Sequence, residues 1–124
     1  MMTRLSQKRH RVAAAGIAAA VLLVGCSGGQ PREVTPSADD VVADHVVEAI
    51  DNAFVPATIE VTVGEAIRWD FVGRMEHDVV AEDGTFVSEL KQEGSFTHVF
   101  TEPGEYPYKC TIHPEMTGTV VVTE

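Results

Sequence analysis

The chain from about residue 45 onward predicts an all-β domain, a sandwich or a barrel. Two observations carry that prediction: apolar residues recur at period two, and Gly or Pro turns interrupt them at short, regular intervals. A third is the shortage of helical signal, since only Phe86 to Gln92 reads as a helical turn.

Each element follows in chain order. A first strand begins near His45, whose imidazole is expected in solvent. Ala57, Ile59, Val61 and Val63 alternate with Thr58, Glu60 and Thr62, which gives a strand with one apolar face. Ile67, Trp69 and Phe71 alternate with Arg68 and Asp70 in the next, and Val79-Val80 lies in a further strand that opens at about His77. Phe96 and Phe100 share a face with His98 between them, so His98 is expected as a partly buried structural histidine. Tyr106 to Cys110 forms a strand in which Lys109 points away from the Cys110 side, and Thr119 to Thr123 is a β-branched run. Gly64-Glu65, Asp83-Gly84, Glu93-Gly94 and Pro103-Gly104 supply the turns between runs. The roughly 80 residues involved are barely enough for one core, so a metal staple would help.

The N-terminal part has a different chemistry. Arg4, Lys8, Arg9 and Arg11 precede the apolar stretch Val12 to Val24, which is the layout of a secretory signal and is shorter than the roughly 20 residues that span a bilayer. Leu23-Val24-Gly25-Cys26 resembles a bacterial lipobox, in which Cys26 would carry the lipid and become the new N-terminus. An ordinary signal cleaved nearby, leaving Cys26 as a free thiol, is the alternative. Ser27 to about Asp40 is rich in Gly, Ser, Pro and acid and reads as a spacer. The expected organisation is a signal peptide at 1–25, a lipid-anchored flexible linker at 26–44 and a domain at 45–124, extracytoplasmic and held at the cell membrane. Cleavage before Cys26 would remove four basic side chains and no acid, taking the formal charge from −10 to −14. So acidic a surface excludes nucleic acid and flat docking on anionic lipid as partners, and suits a basic protein.

Cys110 is the one cysteine of the domain and has no disulfide partner there. Its neighbours give it a use. Cys110-Thr111-Ile112-His113-Pro114-Glu115-Met116 places a thiolate, an imidazole and a thioether on one short loop after a strand. Soft sulfur with imidazole selects copper, and two His, one Cys and a weak axial Met make the blue-copper set, whereas zinc rarely takes Met. The second imidazole is expected from His77, just before Val79-Val80. Met75 is expected to pack near this site without ligating.

From about Asn52 to Val122 the chain resembles the cupredoxins, and in particular their short-loop amicyanin and plastocyanin-like group. The stretches that carry the resemblance are Phe54-Val55-Pro56-Ala57, Val63-Gly64, Trp69, His77-Asp78-Val79, Phe100-Thr101-Glu102-Pro103-Gly104, Tyr106-Pro107-Tyr108 and the C-x₂-H-x₂-M loop. The resemblance implies a Greek-key β-sandwich with one type 1 copper ion held by His77, Cys110, His113 and Met116. Three departures from the family pattern stand out. Asp78 occupies a position usually Asn; its backbone can keep the bond to the Cys sulfur and its side chain can accept from Thr111, but it brings charge beside the metal. Glu76 and Glu115 stand where amicyanins have Pro and an aromatic residue, and Lys109 stands where plastocyanins often have an aromatic.

Four protein ligands leave no vacant position for a substrate, so the expected function is an electron carrier that cycles Cu(I)/Cu(II) between redox protein partners, as a monomer. An enzyme is not expected: Cys110 is flanked by Lys109 and Thr111 rather than His, no His-x-His pair occurs, and the loop has one cysteine. A copper storage, delivery or resistance module is the alternative, since it could use the same ligands.

Overall fold

The alternating stretches form eight strands in the computed structural model, which describes residues 32–124. The expected signal sequence and lipobox, with Cys26, lie outside the described residues. The strands are β1 His45–Ile50, β2 Ala53–Val55, β3 Thr58–Thr62, β4 Ala66–Phe71, β5 Val80–Ala81, β6 Gly94–Val99, β7 Gly104–Lys109 and β8 Thr117–Thr123. They build two four-stranded sheets, ordered β2-β1-β4-β6 and β3-β8-β7-β5. β1 runs parallel to β4 and β3 parallel to β8, and the other pairs are antiparallel. From β2 to β7 each successive strand belongs to the opposite sheet, so the chain closes a sandwich instead of a meander.

Alternation decides what lies between the sheets. In β4, Ile67, Trp69 and Phe71 are buried, while Arg68 pairs with Asp70 at 2.7 Å on the other face. Trp69 is the centre of the core: Val47 and Phe96 are its register partners, and Phe86 and Tyr108 reach it from beyond its sheet at centroid distances of 5.4 and 5.5 Å. Each such ring contributes about 1.5–3 kcal/mol on burial. Tyr108 lies across Gly118 of β8, where any Cβ would overlap its ring, so this glycine is there for space.

Two stretches differ from their sequence-based expectation. Phe86 to Gln92 forms no helical turn, and there is no helix among the described residues. Phe86, Val87 and Ser88 are all buried, and the segment bonds outward: Ser88 N donates to Val79 O at 2.8 Å, and His77 and Lys91 exchange both backbone bonds at 2.9 Å. Part of the polar stretch taken as spacer is also bound to the domain. Thr35 N donates to Val87 O and Ala38 N to Thr97 O, while Val87 N and Thr97 N donate to the hydroxyls of Thr35 and Ser37. The two bonds to Thr97 cover part of the outer edge of β6, which would otherwise offer an unpaired amide to another strand, and the two to Val87 hold the 86–88 segment.

Candidate metal centre

The site is assembled by strand register. Pairing of Val80 with Lys109 in β5 and β7 sets the segment that carries His77 beside the end of β7, where Cys110 follows. Pairing of Lys109 with Thr117 closes the loop from Cys110 to Met116, which is fastened by Cys110 N donating to Met116 O at 3.0 Å and Met116 N to His113 O at 2.9 Å.

The result is three donors facing one another. Cys110 Sγ lies 3.8 Å from His77 Nδ1 and 3.7 Å from His113 Nδ1. The ligand atoms of all three residues fall within 4.8 Å of one another. His77, Cys110 and Met116 are fully buried, and His113 is partly exposed. The donor chemistry fits a metal: bonds of about 2.0 Å to nitrogen and about 2.3 Å to sulfur, opened to trigonal angles, separate their donors by roughly 3.7–3.8 Å. A thiol and two imidazoles at that spacing, with a thioether buried on the same loop, match the soft set that selects copper.

The Asp78 carboxylate accepts from Thr111 through both of its oxygens. Thr111 N donates to Asp78 Oδ1 at 2.7 Å and Thr111 Oγ1 donates to Asp78 Oδ2, which ties the His77 segment to the Cys110 loop. Glu76 and Glu115 are exposed. Lys109 is partly buried, on the face of β7 opposite the buried Tyr106 and Tyr108. Met75 corrects its expectation: it is 48% exposed, and its backbone rather than its side chain serves the region. His45 is not a free solvated side chain, because the turn after β3 brings Glu65 Oε2 to 3.2 Å from its Nε2. His98 packs against the rings of Phe86 and Phe100 and is not among the gathered donors.

One residue at the site escaped sequence reasoning. Asp51, in the turn between β1 and β2, places Oδ1 3.1 Å from His77 Nε2 and accepts from the amides of Arg74 and Met75 at 3.0 Å. These amide bonds, first that of Arg74, with His77 adding to them, lower its carboxyl to about 2. Asp51 precedes His77 by 26 positions and sits in a hairpin turn, so no local spacing could have marked it.

A two-sheet β-sandwich that brings a buried Cys together with two His, beside a buried Met at one end, defines the cupredoxins. The chain belongs to that family: the model of the cupredoxin-like domain matches residues 16–122. An amicyanin of Paracoccus versutus is 30% identical over 95% of this chain and 98% of its own. Among solved structures, a purple cupredoxin from Nitrosopumilus maritimus superposes with a TM-score of 0.59 at 26% identity, over 64% of this chain and all of that one. A copper-containing nitrite reductase from Thermus scotoductus gives 0.59 at 30% identity, over 77% of this chain but only 25% of that enzyme. The cofactor that the family implies is a single type 1 copper ion, and the donors found here fit it.

Proposed function

We propose that this protein is a blue-copper electron carrier that exchanges single electrons with redox protein partners outside the cytoplasm. His77, Cys110, His113 and Met116 would hold the ion, which supplies the Cu(I)/Cu(II) couple when bound. The observation that supports this most is the buried Cys110 thiol facing an imidazole nitrogen on each side at 3.7 and 3.8 Å.

The chain's own residues supply rigidity and access. His77 is held by its two backbone bonds to Lys91, and Cys110 and Met116 are bonded to each other through the backbone, so the donors are preset by the fold. Asp78 and Thr111 fasten the two donor segments, which limits rearrangement when the charge of the site changes. His113 is the one of the three gathered donors with solvent exposure, and its outer edge is the port for the electron. An acidic surface suits a basic partner, the protein acts as a monomer, and acylation of Cys26 holds it at the membrane. Mass spectrometry of membrane-extracted protein tests that anchor, with a diacylglyceryl thioether on Cys26 as the expected modification and an unmodified Cys26 as the contrary one.

The test of function is to load the soluble domain with copper and cycle it by voltammetry. One equivalent bound and a reversible one-electron wave are expected. A site that gives no reversible wave and passes Cu(I) to an acceptor would instead indicate copper delivery.

A further inference from the structure

We infer that Asp51 is a positioning residue for His77: its carboxylate fixes the imidazole as the Nε2–H tautomer, leaving the Nδ1 lone pair on the Cys110 side, and strengthens that ring as a donor to Cu(II). The inference rests on the copper reading of the site.

His77 is fully buried and each ring nitrogen has one hydrogen-bond partner, Asp51 Oδ1 at 3.1 Å from Nε2 and Cys110 Sγ at 3.8 Å from Nδ1. An ionised carboxylate only accepts, and a neutral imidazole carries a single N–H. The proton therefore belongs on Nε2. Asp51 Oδ1 already accepts from the Arg74 and Met75 amides at 3.0 Å, so the oxygen that faces His77 Nε2 is placed as an acceptor.

The surrounding backbone is shaped to the carboxylate. Asn52 takes a left-handed φ of 67°, which turns β1 into β2 and leaves Asp51 facing the 73–75 segment. A Cβ at Gly73 would overlap Asp51 Oδ1, although Gly73 does not have a positive φ. A side chain at this position would displace the carboxylate, and this is independent of the His77 contact. Among the described residues His113 has no matching carboxylate, so the two imidazoles are unequal: His77 is braced and buried, His113 is open.

A carboxylate behind a ligating imidazole raises its basicity, and its loss typically costs 10–100-fold in metal affinity. The effect is larger for the more highly charged ion. Asp51→Asn keeps an acceptor for the two amides and removes the charge; Gly73→Ala keeps the charge and displaces the carboxylate. In both, Cu(II) affinity measured by competition should fall at least tenfold while Cu(I) affinity moves less, and each tenfold of selective loss raises the reduction potential by about 59 mV. Nitrogen-15 NMR of the metal-free wild-type protein at alkaline pH should show His77 as Nε2–H.

Unchanged affinities and potential in both variants, with or without a loss of thermal stability, would reduce Asp51 to a clasp for the 73–75 segment. An Nδ1–H tautomer in the wild-type protein would overturn the inference even if neither variant folds. A wild-type protein that takes up no copper tells against the copper reading itself, and the tautomer then still decides where Asp51 puts the proton.

Discussion

Cys110 shows how much of a site one residue can disclose. It lies on the same loop as His113 and Met116, so three of the four proposed donors were legible as a contiguous pattern, and His77 followed from its place before an apolar pair. Asp51 was illegible because its link to His77 exists only once β1, β2 and the 73–75 segment are folded together. His98 lies between: alternation gave its burial, but not its consequence for pH. Burial lowers the imidazole below its usual 6.5, so between that value and the folded one the unfolded chain binds more protons than the native protein. Stability from this group is complete above 6.5 and declines as pH falls through that window. Thermal unfolding of the metal-free protein should therefore show His98→Gln losing less stability than the wild type between pH 7.5 and 5. Parallel curves would mean that His98 is solvated enough to titrate normally.

At the scale of elements, strands with one apolar face were the legible part, and segments held by polar contacts were not. β4 and β8 announce themselves by alternation and β-branching. The stretch from Thr35 to Ala38 has too few apolar residues for any periodicity, yet backbone and hydroxyl bonds hold it to Val87 and to Thr97 of β6. Phe86 to Ser88 misled for the opposite reason, since three adjacent buried residues fit neither a helical face nor a half-buried strand. Ser88 is the fastening of that segment, accepting from Val79 N at 2.8 Å and donating to Glu89 O at 2.9 Å. In Ser88→Ala the buried amide of Val79 loses its acceptor, at a cost of about 1–3 kcal/mol. For a domain of this size each kcal/mol lowers Tm by roughly 4–8 °C. Calorimetry on the metal-free protein measures this directly, and an unchanged Tm would show that the amide finds another partner.

For the whole molecule, the sandwich serves to hold two donor segments in fixed register while one imidazole edge meets solvent. Its charge sets how partners approach. With 19 acidic side chains against 9 basic ones, four of which precede residue 12, long-range attraction to a basic redox protein should speed encounter, and salt should weaken it, because the screening length is about 8 Å at physiological ionic strength. Stopped-flow electron transfer to such a partner is expected to slow steadily as salt rises, whereas a flat profile would indicate apolar contact around His113. The most direct measurement is the visible absorption spectrum of the copper-loaded domain beside that of Cys110→Ala. An intense thiolate-to-copper band is expected in the wild type, absent from Cys110→Ala, and weakened or shifted in Met116→Ala, which should still bind some copper. A colourless Cu(II) wild type, or a Cys110→Ala protein that keeps the band, would contradict the assignment of Cys110 as the copper thiolate.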